Sequence, residues 1–241
     1  MLISMSNPLA FFASFDRRAD EEELMDLPDG DEAHLFRTLD QFHDINRLFS
    51  RVRGLLKRTV LADMRPGTQY HLVDLGAGAC DIPVWLLHEA KRRGLSLEVT
   101  AVDADPRVVR YAEERYGDHP GLNILQADAL DLDTLAPFDY LFANHFLHHL
   151  PDAALPPLIA DAHRLARRGF VFSDLRRSPW SYLGFSLFAR VYRDSFARAD
   201  GLLSIRKGFT PAEWTVLGGR TPTRVRTAFP GRVQLRGGCF S

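Results

Sequence analysis

The residue types able to do chemistry gather in four places. Asp74-Leu75-Gly76-Ala77-Gly78-Ala79-Cys80-Asp81 puts two carboxylates around two glycines. Asp103 and Asp128 each close a short apolar run, and His145, His148 and His149 crowd one turn. A glycine bend between a strand and a helix lets the backbone turn sharply and lets a ligand approach the main chain. A dinucleotide loop would carry G-x-G-x-x-G, its third glycine seating the helix on the strand. Asp81 holds that slot here, and Asp74 lies inside the strand. Two carboxylates would repel a pyrophosphate; they suit a cationic ligand.

A ligand with an ammonium, a sulfonium and a ribose diol fits such a cradle, and S-adenosylmethionine has all three. Asp103 lies 25 residues beyond Gly78, about the interval of a strand–helix–strand unit, and a carboxylate there can accept both ribose hydroxyls. Asp105, just before Pro106, reads instead as a helix N-cap. Asp128 reads either as a ligand residue or as a loop aspartate that binds its own backbone. An imidazole can take a proton from a phenol or an activated hydroxyl near neutral pH. His145 or His148 is expected in that role ahead of His149. His145-x-x-His148 also has metal-ligand spacing, but the sequence shows no convincing further ligand, so no metal is expected.

These groups must be positioned by regular elements. Strands are expected at 71–75, 97–102, 122–126, 138–143 and 169–173, alternating with helices at 82–93, 106–116, 130–135 and 152–167. Such alternation means a parallel sheet with helices on both faces and ligands at the carboxyl ends of the strands. Ahead of this unit Leu35, Leu39, Phe42, Ile45, Phe49, Val52, Leu56 and Val60 recur at helical spacing, predicting one long or two consecutive helices closed by Pro66-Gly67. After it, 180–199 reads as one helix with a stripe of Tyr182, Phe185, Phe188, Tyr192 and Phe196. Thr210-Pro211-Ala212-Glu213 is a capping box that opens another helix. The chain closes with strands 223–228 and 232–236. Residues 1–33 read as a poorly ordered lead-in whose aromatics dock somewhere.

The first cluster resembles motif I of class I S-adenosylmethionine-dependent methyltransferases, an acid-x-G-x-G-x-G pattern, with Cys80 in place of the third glycine. Asp103, Asp128-Ala129 and the stretch Phe138–Leu150 stand where that family has its next motifs, and the resemblance spans about residues 35–236. It implies an α/β, doubly wound, mostly parallel seven-stranded sheet. It also implies a single domain over 34–241, with N-terminal helices at 34–66 that help roof the site and a lid inserted at 174–210. The implied cofactor residues are Asp74, Gly76, Ala77, Gly78, Asp81, Asp103, Ala104, Asp128, Ala129 and Asn144, with Asp128 accepting the adenine amino group. His145, His148 and His149 are the base candidates, and Arg176, or its neighbour Arg177, Tyr182 and Phe185 the substrate candidates. Asn144-His145-Phe146-Leu147 lacks the proline-rich signature of enzymes acting on nucleobase amines.

With 241 residues and a net charge of −1, the chain suits one α/β domain and offers no electrostatic argument for nucleic acid or an anionic membrane. Two distant cysteines, the lack of a signal-peptide order and the absence of an apolar run of about 18 residues point to a cytoplasmic protein. The expected activity is O-methylation of a small aromatic or lipophilic hydroxyl compound. The alternatives are C-methylation of a quinone or polyketide precursor, and a non-catalytic S-adenosylmethionine-binding partner subunit. The oligomeric state is left open.

Overall fold

In the structure, a computed structural model that describes residues 8–48, 50–219 and 222–240, alternate residues of the central strands enter opposite hydrophobic layers. In β1 (Gln69–Leu75), Leu72 joins one layer, and Val73 and Leu75 join the other. In β4 (Phe138–Asn144), Tyr140 and Phe142 face the first layer, and Leu141 and Ala143 the second. Strands buried on both faces must be apolar throughout, which is why these runs do not alternate with polar residues. The first layer is completed by α3 (Val52–Arg58), α4 (Val60–Asp63) and α5 (Asp81–Arg92), the second by α7 (Leu132–Leu135), α8 (Leu155–Leu165) and α11 (Pro211–Gly218).

The remaining strands are β2 (Ser96–Asp103), β3 (Leu122–Gln126), β5 (Ala166–Leu175), β6 (Thr223–Ala228) and β7 (Arg232–Gly238). Their order is β3-β2-β1-β4-β5-β7-β6, with β7 antiparallel to both of its neighbours. This is the expected seven-stranded, mostly parallel, doubly wound sheet. Its register decides where the site lies. Leu75 pairs with Val102 and Ala143, Asp103 with Gln126, and Asn144 with Ser173, so every motif ends at one edge. The chain runs from β1 outward to β2 and β3, then returns to β4 on the other side. The switch point therefore falls between β1 and β4, where such folds bind ligands.

Three segments depart from the sequence reading. The N-terminal helical stretch breaks into α2 (Glu32–Leu48), α3 and α4, with Arg51 in a left-handed conformation (φ 53°) at the first break; Phe49 lies outside the described residues. The expected 180–199 helix is two elements, α9 (Pro179–Phe188) and α10 (Ala197–Lys207). Between them Asp194 takes a φ of 54°, and the Thr38 hydroxyl accepts the Phe196 N–H at 2.9 Å, replacing a helical bond with one to α2. Finally, the lead-in is packed from α1 (Pro8–Ala13) onward. Phe11 and Phe15 are buried with their ring edges on Tyr182, at centroid distances of 5.9 and 5.6 Å. Arg18 donates to the carbonyls of His148, Leu150 and Lys207 at 2.8–3.2 Å, and Asp200 accepts the N–H groups of Leu24 and Met25 at 2.9 Å each. Residues 1–7 lie outside the described residues.

The capping box at Thr210 forms as expected: Glu213 N–H donates to Thr210 Oγ1 at 3.2 Å, and Thr210 N–H to Glu213 Oε2 at 2.7 Å. No helix among the described residues is long and apolar enough to cross a membrane.

Candidate active site

Between β1 and α5 the backbone makes three left-handed steps, at Gly76 (φ 63°), Gly78 (φ 54°) and Cys80 (φ 58°). Gly76 has no alternative, because a Cβ there would sit 2.3 Å from the Phe146 ring. Cys80 keeps the conformation a glycine would hold, a departure that costs about 1–2 kcal/mol for an L-residue. Its side chain is buried against Ala101 and Ala112, which offsets that cost.

This bend forms one wall of a cavity of about 660 Å³ at the carboxyl edge of the sheet. Asp74, Gly76, Ala77, Gly78, Asp81, Asp103, Ala104, Asp128, Ala129 and Asn144, all expected around a cofactor, line it together. Asp103 is held by two main-chain donors, accepting from Gly78 N–H and Asp105 N–H at 3.1 Å each. Asp105 caps α6 (Pro106–Tyr116) through Arg107 N–H at 2.8 Å, the N-cap role that the sequence suggested for it. Asp128 is exposed and spends Oδ1 on Leu130 N–H at 2.9 Å, the turn bond that was its alternative reading.

The electrostatics of this wall identify the charge that suits it. Burial pushes the Asp74 carboxyl well above the ordinary carboxylate range, and repulsion from Asp81 and Asp103 pushes it further. Burial also raises Asp81 and Asp103. Asp81 Oδ2 is buried without a hydrogen-bond partner; Asn46 reaches only Oδ1, at 3.4 Å, and His43 Nδ1 stops 3.8 Å from Oδ2. Three carboxylates that repel one another, one with an orphaned oxygen, fit a cationic ligand and oppose an anionic one. The ammonium and sulfonium of S-adenosylmethionine answer that need.

The three histidines separate into three roles. His148 is fully buried: its Nδ1 lies 2.7 Å from Asp174 Oδ1 and its Nε2 3.5 Å from Glu23 Oε1. Burial works to raise Asp174, but the charge and hydrogen bond of His148 outweigh it and hold that carboxyl far below its usual range. His149 Nδ1 lies 2.7 Å from Asp26 Oδ2. Burial disfavours its charged form, yet Glu23 and Asp26 override this and raise its pKa to about 9, so it is an imidazolium at neutral pH. His145 takes a φ of 59°, and burial, then the Arg232 charge, hold its pKa well below 6.5. It is therefore a neutral imidazole. The side chains grouped as a metal site would need are Glu23, His148 and His149, whose ligand atoms lie within 4.8 Å of one another, not the His145–His148 pair that the sequence raised. Lys207 Nζ lies 3.5 Å from Glu23 Oε1 and already provides that carboxylate with a cation.

A second cavity of about 520 Å³ opens beside α9 and α10, lined by Trp180, Phe185 and Phe229 with Arg176 and Arg232. His145, Phe42 and Ile45 line both cavities. Of the substrate candidates, Arg176 and Phe185 line this cavity. Tyr182 is not: it turns from the cavity into the cluster with Phe11 and Phe15, because the packed N-terminal segment offers it an apolar partner. Arg177 is spent on the carbonyls of Phe15 (2.9 Å) and Gly208 (2.7 Å) and on Glu213. The sequence also missed Glu23, Asp26 and Arg232, which reach the site from the two ends of the chain and belong to no local pattern.

A family model described as a methyltransferase domain matches residues 72–169. The chain is 23% identical over 160 residues to demethylmenaquinone methyltransferase of Lysinibacillus sphaericus, covering 63% of this chain and 66% of that protein. Among solved structures it resembles human N-acetylserotonin methyltransferase in complex with SAM, with TM-score 0.60 and 14% identity over 86% of this chain and 56% of that one. It also resembles the plantazolicin methyltransferase BpumL in complex with SAH, with TM-score 0.61 and 13% identity over 88% and 91% of the two chains. The chain thus spans a little under two thirds of its curated relative and about half of the human structure. Residues 72–169 thus match a methyltransferase domain, and the chain shares the fold of these S-adenosylmethionine-dependent methyltransferases.

Proposed function

We propose that this protein transfers a methyl group from S-adenosylmethionine to a hydroxyl oxygen of a small, flat, apolar acceptor, with His145 as the base. The observation that carries this reading is the position of His145: a neutral imidazole that lines both the carboxylate-walled cavity and the apolar cavity under the lid. Asp74, Asp81 and Asp103 would hold the cationic and ribose parts of the cofactor, with Gly76 and Gly78 giving the main chain its close approach. The bound cofactor supplies an electrophilic methyl group that already carries its leaving group. The chain's own part is to align the acceptor, exclude water and receive the hydroxyl proton on His145, which frees the oxygen's electron pair for the new bond. His148 is locked between Asp174 and Glu23, and His149 already carries its proton, so neither serves as base at neutral pH.

A second reading, methylation of carbon on a quinone-type ring, is favoured by the demethylmenaquinone methyltransferase relative. Incubating the protein with methyl-labelled cofactor and a panel of naphthols, resorcinols and quinols, followed by fragmentation mass spectrometry, tests both. A labelled methyl on oxygen supports the first reading and one on ring carbon the second. Failure to label any acceptor defeats both and leaves a cofactor-binding subunit without catalysis.

A further inference from the structure

Arg232 opens β7 and is only 2% exposed, yet it lines the acceptor cavity. Its Nη2 donates to Asn144 Oδ1 at 2.5 Å, Ser173 O at 3.2 Å and Ser173 Oγ at 3.3 Å. Nε and Nη1 have no hydrogen-bond partner, and the guanidinium makes no ion pair among the described residues. Asp174, whose field reaches it, is already committed: its two oxygens take the ring and main-chain N–H of His148 at 2.7 and 3.1 Å, and Leu175 N–H at 2.6 Å. A buried guanidinium with two orphaned nitrogens and no anion is strongly unfavourable unless a ligand supplies one.

The rest of the cavity is mostly apolar, with Trp180, Phe185 and Phe229 among its walls, and its other polar side chains are His145, Arg176 and the hydroxyls of Ser50, Ser178, Ser181 and Ser204. Arg176, also present, is exposed at the rim. Arg232 is therefore the buried cation of a mostly apolar cavity, beside His145. An imidazole whose basicity is suppressed takes a proton efficiently only from an acidic hydroxyl, such as a phenol or an enolised dione.

We infer that Arg232 is the anion-recognising residue of the acceptor cavity, and that the acceptor is a flat aromatic compound with an acidic hydroxyl whose ionised oxygen pairs with the Arg232 guanidinium. This rests on the methyl-transfer reading above and narrows its acceptor to phenols. The hydroxyl proton passes to His145, the negative charge stays on oxygen, and Arg232 stabilises that charge before the oxygen attacks.

The test uses 4-nitro-1-naphthol, whose absorbance separates phenol from phenolate, titrated over pH with the purified protein and S-adenosylhomocysteine, which lacks the sulfonium charge. His145 and Arg176 line the same space, and the charges of Asp174 and His148 reach His145, so H145Q is titrated in parallel to subtract the imidazole's own protonation. In the wild type the bound dye should ionise about one pH unit lower than the free dye, a roughly tenfold preference for the anion. R232Q should abolish that shift, and R232K, which keeps the charge, should keep at least half of it. An unchanged or raised ionisation of the dye in the wild type, no dye binding, or a shift retained in R232Q overturns the proposal. If R232Q does not fold, as judged by circular dichroism, the wild-type shift and R232K decide. Calorimetry of S-adenosylhomocysteine is read separately: its failure to bind defeats the methyl-transfer reading while the dye shift still decides the role of Arg232.

Discussion

Replacing Asp81 by asparagine should make the cofactor-free protein more stable and the cofactor-bound protein less so. Asp81 is the first residue of α5, where a negative charge gains about 0.3–1 kcal/mol from the helix terminus. Against this, Oδ2 is buried with no hydrogen-bond partner, a situation that costs about 1–3 kcal/mol. Burial raises the Asp81 carboxyl even though His43 and Asn46 favour its charge, so the unfavourable contribution wins. The net gain on neutralising it is about 1 kcal/mol, which in a chain of this size raises the thermal midpoint by about 2–4 °C. The sign follows from linkage. A carboxyl raised on folding contributes stability in its protonated form; that contribution is complete below the unfolded value of about 3.9 and is lost as pH rises through the folded value. The advantage of D81N should therefore vanish in acid and grow toward neutral pH. Because the same charge faces the cofactor cavity, affinity for S-adenosylmethionine should fall about tenfold to a hundredfold, or about 1.4–2.7 kcal/mol. Thermal unfolding without cofactor at pH 4 and 7, with calorimetry at pH 7, reads all three quantities. A lower midpoint at pH 7 together with unchanged affinity would refute the claim that this wall is built for a cation.

Asp103→Ala should abolish measurable cofactor binding in the same calorimeter, since it removes the acceptor expected for the ribose and also releases Gly78 N–H; binding within threefold of wild type would overturn its assignment. His145→Gln should lower turnover by about 10²–10⁴-fold while leaving cofactor affinity within about threefold, and an equal loss in H148Q but not H145Q would move the base to His148. His149 gives a stability signature in alkali. Its pKa is raised from 6.5 to about 9, so its stabilising contribution is complete below about pH 6.5 and lost as pH rises through about 9. This is worth up to about 3 kcal/mol. The thermal midpoint should fall between pH 7 and 10 in wild type and stay flatter in H149Q; parallel curves would show that the Asp26–His149 pair contributes little.

What the sequence by itself determined is whatever is written within about a turn or a strand of chain. The bend at Gly76–Cys80 was legible because a positive φ and a close approach demand particular residues at successive positions. The Asp105 cap and the Thr210 box were legible because a helix start is satisfied by its own next three residues. The parallel sheet followed from apolar runs alternating with helical spacing, whereas the order of its strands is seen only in the structure. Only the tertiary structure decided the rest. The N-terminal segment read as a poorly ordered lead-in because its anchors are remote: Arg177 reaches the Phe15 carbonyl across 162 residues and Arg18 reaches His148 across 130. Which histidine is neutral depended on burial and on carboxylates from residues 23, 26 and 174, none of them a sequence neighbour of the turn. Arg232 reads as one more polar residue of a closing strand until that strand pairs with β5. Burial then removes water from the guanidinium, and its charge falls on His145. Periodicity records which side of an element is apolar; it does not record which charges the fold brings face to face.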